Sequence, residues 1–183
     1  MSNKILVKEL IKDKNVGAVI SASNRIITDL LKRIDFRKAK ILVEYGPGTG
    51  VITHQILNKM QEDATLFVFE TNKEFINHLS EINDERLIVI NADAEKALSI
   101  LNDKYKVDIV DYIVSTIPFT FINKNKRRRI IYKSHKLLEG NGKFITYQYS
   151  WLIYRIIKTK FVKHNIKPIL LNIPPAFVME GVK

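Results

Sequence analysis

Short, fully apolar runs alternate with segments of helical period along most of this 183-residue chain. Ile41–Glu44, Leu66–Glu70, Leu87–Ile90, Ile109–Ser115 and Lys143–Tyr149 read as strands. Val51–Met60, Lys73–Ser80, Glu95–Leu101 and Lys124–Leu138 read as the helices between them, the last stopped by Gly140 and Gly142. A strand apolar on both faces must be covered on both, and an intervening helix supplies the cover and the crossover that parallel pairing requires. The alternation predicts an α/β domain with a mostly parallel sheet and helices on both sides. The rhythm breaks near the end. After a helical stretch, Trp151–Lys158, the strands Ile166–Leu171 and Ala176–Val182 are separated by Pro174-Pro175 with no helix between, so they should pair antiparallel. Ahead of the sheet, Lys4–Lys12 has Leu6, Val7, Leu10 and Ile11 on one side and lysines on its flank. A second helix starts at Ser23 or Asn24, either a suitable N-cap, and runs to Ile34. The expected organisation is a single domain, with N-terminal helices over 1–35 and the sheet over 36–183.

Charge is distributed in two blocks. Residues 1–111 hold 16 Lys and Arg against 17 Asp and Glu, whereas residues 112–183 hold 14 against two, Glu139 and Glu180. Localised positive charge points to a phosphate-bearing partner, either an anionic membrane surface or nucleic acid. The absence of cysteine excludes a disulfide framework, a thiol nucleophile and a thiolate metal site. His54, His78, His135 and His164 are scattered without ligand spacing, so no metal is expected. No apolar run approaches the ~20 residues of a spanning helix, and Lys4, Lys8 and Glu9 interrupt any signal-peptide core. The expected location is the cytoplasm, with a peripheral position on the inner face of the cell membrane open.

The densest chemical signal is Glu44-Tyr45-Gly46-Pro47-Gly48-Thr49-Gly50, between the first strand and its helix. A glycine turn at the carboxyl end of the first strand lets a ligand approach the backbone closely. The spacing is neither G-x-G-x-x-G nor a P-loop, since Val51 follows Gly50 and no G-K-[ST] is present. Two acids at successive strand ends add to it. Glu70 can accept hydrogen bonds from ribose hydroxyls, and Asp93 from an exocyclic adenine amine, both of which present donors. Either acid alone could be a turn or cap residue; together behind a glycine turn they read as an adenosine site.

Residues 41–50 and 66–93 resemble Rossmann-like S-adenosylmethionine-dependent methyltransferases, and the resemblance extends from about residue 16 to the end. It implies seven strands with the last antiparallel, and S-adenosylmethionine as cofactor. It assigns Glu44, Gly46, Gly48, Gly50, Glu70, Thr71, Asp93, Ala94 and Ser115 to the cofactor site. The loop Ser115-Thr116-Ile117-Pro118-Phe119 would then face the methyl group and the acceptor. Adenine-N6 methyltransferases of ribosomal RNA are similar here, with an Asn-Leu-Pro-Tyr/Phe type motif whose Asn accepts from the target amine and whose ring stacks on the flipped base. Pro118 and Phe119 match, but Thr116 stands where that Asn would be. Those enzymes also append a helical RNA-binding domain, for which no length is expected here. A nearer resemblance is to bacterial phospholipid N-methyltransferases, through Val16–Ser23, Glu44–Gly50, Ser115–Pro118, Thr146–Ser150 and Asn172–Ala176. It implies methylation of an amine headgroup such as that of phosphatidylethanolamine.

On that reading Thr116, Tyr147 and Tyr149 are the candidate catalytic contacts. The two tyrosines share a strand face at i and i+2 and could seat the headgroup, or pack in the sheet. Pro118, Phe119, Arg127, Arg128 and Arg129 are the candidate acceptor-binding residues, and the first helix a candidate interfacial element or a core-docking one. The competing expectations are an RNA adenine methyltransferase and a non-catalytic binding module on the same fold.

Overall fold

The computed structural model describes residues 24–170 and 174–183. The amphipathic helix expected at Lys4–Lys12, the segment Val16–Ser23 and the residues Asn172-Ile173 of the tail motif lie outside the described residues. Seven strands form one sheet: β1 (Ile41–Tyr45), β2 (Thr65–Glu70), β3 (Leu87–Asn91), β4 (Val110–Ser115), β5 (Leu138–Gln148), β6 (Lys163–Ile169) and β7 (Ala176–Val182). Their order is β3-β2-β1-β4-β5-β7-β6. The strands β1 to β5 pair parallel, and β7 runs antiparallel between β5 and β6. The α/β fold with an antiparallel closing strand is as the sequence predicts.

Side chains alternate across the sheet, as the two-residue strand period requires. Leu42, Leu66, Val68, Val114, Ile145 and Val178 pack on one face against α1 (Asn24–Leu31) and α2 (Val51–Leu57). Val43, Phe67, Phe69, Ile113 and Phe144 pack on the other, against α4 (Ala97–Ile100), α5 (Lys124–Leu137) and α6 (Tyr154–Lys160). Between these, α3 (Lys73–Ser80) follows β2 and is capped by Asn72, whose side chain accepts from the amides of Glu74 and Phe75. Helix α1 is fixed to the far end of the sheet by charge. Both oxygens of the buried Asp29 accept from Lys167 of β6 at 2.9 Å, and this bond holds its carboxyl below the usual range.

Several segments differ from the expected boundaries. Helix α1 ends at Leu31 rather than Ile34, and α2 at Leu57 rather than Met60. The stretch from Trp151 is a 3₁₀ turn followed by α6 to Lys160, and β6 is Lys163–Ile169 rather than a strand from Ile166. The helix expected over Glu95–Leu101 is a composite: a 3₁₀ turn at Ala94–Lys96, then α4, then a π turn over Leu101–Tyr105 that ends at Lys106 with φ 57°. Asp93 caps its start. The strand expected from Lys143 begins at Leu138, directly after α5, and the register between β4 and β5 shifts across Val110 and Tyr112. Gly140, Asn141 and Gly142 are taken up in that irregularity. Asn141 has φ 71°, a conformation Asn tolerates better than most residues.

Gly181 of β7 lies against the face of Phe161, and a Cβ there would fall 2.5 Å from the ring. Gly181→Ala is expected to destabilise the protein by about 1–3 kcal/mol through overpacking, read as a lowered urea midpoint with an unchanged m-value.

Candidate active site

The carboxyl ends of β1, β2, β3 and β4 meet around a cavity of about 390 Å³, within the size range of small-ligand sites. Its floor is the glycine turn. Gly46 has φ 70° and Gly48 φ 56°, conformations that favour glycine. At Gly46 space excludes a side chain as well, since a Cβ would lie 2.6 Å from Ile117. The Gly46 amide donates to the Phe69 carbonyl at 2.9 Å, and the Gly48 amide to Glu70 Oε2 at 3.2 Å.

Glu70 is held by its own strand end. Oε1 accepts from the amides of Thr71 at 2.7 Å and Asn72 at 2.9 Å. With Gly48 on Oε2, three of a carboxylate's roughly four acceptor positions are filled by backbone, and the carboxylate is fixed on the cavity wall with one position left for a ligand hydroxyl. Asp93 stands on the same wall, beyond Ala92, whose amide donates to the Glu70 carbonyl. Its Oδ1 accepts from the Glu95 amide at 2.8 Å and its Oδ2 from Lys126 at 2.5 Å. Ala94 and Thr71 also line the cavity. A backbone cradle with no room for a Cβ, one carboxylate for hydroxyls and a second for an amine fit an adenosyl group.

Of the expected cofactor residues, Gly46, Gly48, Glu70, Thr71, Asp93 and Ala94 are brought together at this cavity, while Glu44, Gly50 and Ser115 are not on its wall. Glu44 is fully buried behind the turn, its Oε2 accepting from Thr53 of α2 at 2.7 Å. Its Oε1, like Ser115 Oγ, has no hydrogen-bond partner among the described residues. Burial pushes the Glu44 carboxyl up to about 7; the Thr53 bond opposes this and the Glu70 charge adds to it.

The acceptor loop departs from the sequence reading. Thr116 is 4% exposed and turned inward. Its amide donates to the Tyr45 carbonyl at 2.9 Å and its hydroxyl to the Gly46 carbonyl at 2.5 Å. It ties the loop to the glycine turn and presents nothing to the cavity. Phe119 is also buried, edge-on to Phe144, and the aromatic residue on the wall is Phe121 beside Pro118. Tyr147 is 3% exposed, in the cluster that packs on α1 and α2, and burial pushes its phenol up. Tyr149 meets it edge-on at 6.1 Å. Neither tyrosine lines the cavity, so the packing role, not the headgroup role, is the one their placement supports. The basic run is divided. Lys126 is spent on Asp93, and Arg129 on Glu95 at 2.5 Å, while Arg128 is exposed. Arg127 is half-buried, with Nε unpartnered among the described residues.

Sequence reasoning missed Phe121 as well as Gln148. Its amide oxygen accepts from the Phe119 amide at 3.1 Å, and its nitrogen donates to the Ile117 carbonyl at 2.9 Å. It clamps the acceptor loop from the end of β5. The available signal was an amide side chain at the carboxyl end of a strand, within the run Thr146–Ser150.

Comparison with known proteins agrees with this geometry. The family profile described as ribosomal RNA adenine dimethylase matches residues 12–131. An ornithine lipid N-methyltransferase of Singulisphaera acidiphila is 27% identical over 92% of this chain and 90% of its own length. Ribosomal RNA small subunit methyltransferase A of Blochmanniella pennsylvanica is 28% identical over 49% of this chain, a match that spans 33% of that relative's length. Among solved structures, the N-methyltransferase NodS of Bradyrhizobium japonicum with bound S-adenosyl-L-homocysteine superimposes with a TM-score of 0.68 at 12% identity, covering 87% of this chain and 86% of that one.

Two outcomes test the site. Glu70→Gln weakens acceptance from a ribose hydroxyl and is expected to lower S-adenosyl-L-homocysteine affinity about 10- to 100-fold by calorimetry, the range of a lost charge-assisted bond. Glu44 makes stability depend on pH. Its folded pKa lies above the unfolded value, so its contribution to stability is full below about pH 4.5 and is lost as pH rises through 7. Glu44→Gln should therefore gain stability on the native protein between pH 5 and pH 8, by on the order of 2 kcal/mol; an equal difference at both pH values in urea denaturation would contradict the assignment.

Proposed function

The chain belongs to the ribosomal RNA adenine dimethylase family and is an S-adenosylmethionine-dependent methyltransferase, and from that premise we propose that its acceptor is the amine of a membrane-lipid headgroup. One observation carries the choice of acceptor: both parts of an adenine clamp are turned away from the cavity. Thr116 stands where an amide acceptor for the adenine amine would be, and its hydroxyl is committed to the Gly46 carbonyl. Phe119 stands where a ring would stack on the base, and it is buried against Phe144. The similarity to the ornithine lipid enzyme, which runs over nearly the whole of both chains, supports the same reading.

When bound, S-adenosylmethionine supplies a methyl carbon made electrophilic by its sulfonium. The residues of this chain then have three tasks. Gly46, Gly48, Glu70 and Asp93 would hold and orient the cofactor, with Lys126 fixing the Asp93 carboxylate. Gln148 and Thr116 hold the acceptor loop against the turn, so that an incoming amine meets a preformed wall, and such positioning supplies much of the catalysis in a reaction between two bound partners. Ile117, Pro118, Phe121 and Ile122 make that wall apolar. An ammonium has no lone pair, and desolvation at an apolar wall favours the neutral amine. The exposed cations Lys124 and Arg128 would face the anionic part of the headgroup or its neighbours. On this reading the enzyme works peripherally at the inner face of the cell membrane. No helix among the described residues is long and apolar enough to cross a membrane.

The test is incubation with methyl-labelled S-adenosylmethionine and, in parallel, phosphatidylethanolamine vesicles, ornithine-lipid vesicles and total RNA. Label is expected in one of the lipid fractions, which identifies the headgroup. Label in RNA with none in lipid overturns the proposal.

A further inference from the structure

The exposed large apolar side chains of the described residues are Val51, Ile109, Phe121, Trp151, Leu152, Val162 and Leu170. Five of these seven lie in segments that leave the carboxyl ends of strands. Val51 follows the glycine turn after β1, Phe121 the loop after β4, Trp151 and Leu152 the end of β5, and Leu170 the end of β6. Because β6 and β5 both run antiparallel to β7, these ends share one edge of the sheet, the edge on which the cavity opens. Ile109 and Val162 sit at the other edge, just before β4 and β6. Phe121 is 57% exposed, Trp151 50% and Leu152 41%. Gln148 joins the loops that carry them, through Ile117 and Phe119.

Charge on this edge is divided: the acids Glu70, Glu74, Asp93 and Glu95 close or follow β2 and β3, whereas the segments after β4 and β5 are basic only. Residues 116–137 and 149–162, which follow β4 and β5, contain seven and three Lys and Arg and no Asp or Glu. Lys126 and Arg129 are turned inward to Asp93 and Glu95, whereas Lys124, Arg128 and Arg155 are exposed. The Arg155 guanidinium lies 4.8 Å from the centre of the Trp151 ring, a cation–π pair that sets a positive charge beside an amphipathic ring. Indole rings favour the headgroup level of a bilayer, and Arg there meets lipid phosphate.

We propose that this edge docks on an anionic lipid bilayer, with Trp151 and Leu152 entering the interface and Lys124, Arg128 and Arg155 meeting its phosphates, so that the cavity mouth opens onto the headgroups. A nucleic acid is the lesser fit. RNA would use the cations and could stack on rings, but exposed Leu152, Leu170 and Val51 gain nothing from a phosphate backbone. The proposal deepens the lipid-amine reading and rests on it for its purpose, but docking is measured without methyl transfer.

The experiment is partition of the full chain onto phosphatidylcholine vesicles with and without phosphatidylglycerol, neither of which carries a primary amine. The native protein should bind the anionic vesicles and leave them as salt rises. The double variant Trp151→Ala/Leu152→Ala should bind them at least tenfold more weakly. The opposite-edge variant Ile109→Ala/Val162→Ala should bind within twofold of native. Unchanged S-adenosyl-L-homocysteine affinity in both variants shows that the fold and cavity are intact. Vesicle binding that the Trp151/Leu152 pair does not alter, equal loss in the opposite-edge variant, or binding to an RNA homopolymer but not to vesicles overturns the docking surface. Failure of the lipid-amine reading appears separately, as an absence of labelled lipid.

Discussion

The close approach of the glycine turn to the loop after β4 is the contact on which the site depends. At Gly46 there is no space for a Cβ between the turn and Ile117, and three bonds join the ends of β1, β2 and β4 there: the Gly46 amide to Phe69 of β2, the amide of Thr116, which follows β4, to Tyr45 of β1, and the Thr116 hydroxyl to the Gly46 carbonyl. A parallel sheet leaves its strand ends unpaired at this edge. Here those ends are satisfied by one another, which draws them into a rim rigid enough to position a ligand. Gln148 extends the rim to β5. What the rim encloses is apolar on the side of Ile117 and Phe121 and acidic on the side of Glu70 and Asp93.

The electrostatics of that cavity are mostly settled before a ligand arrives. Glu70 is fixed by three backbone amides, so it meets a ligand with little reorganisation, the condition under which a hydrogen bond contributes most to affinity. Asp93 is different: its second oxygen is shared with Lys126 from the start of α5. The lysine neutralises an acid at the mouth and links the adenosine side of the cavity to the helix that carries the basic run. Glu44, fully buried with Thr53 as its hydrogen-bond partner, is costly behind the turn only when charged, so burial favours its neutral form there.

Much of the fold was legible in the chain because apolar strands and helix periods are local patterns. The ends of β1, β2, α3 and β7 fall at or within one residue of the expected ones. Among the misread parts, the composite helix around α4 and the early start of β5 are places where glycine, asparagine or an Asp cap lets tertiary pairing choose the path. In the site, Gly46, Gly48, Glu70 and Asp93 were recognisable because strand-end position and donor–acceptor chemistry are both written in sequence. Phe121, Gln148 and the inward turn of Thr116 were not, since each depends on which way a side chain points after a loop has closed.

The sequence by itself determined that the chain builds a parallel sheet with a glycine turn and two acids at its carboxyl edge, since period and residue type act over a few neighbours. Tertiary structure alone decided which rings are buried and which are offered to solvent. Phe119 and Tyr147 went into the core while Phe121 and Trp151 stayed outside, because burial of a ring depends on the packing space left by distant elements.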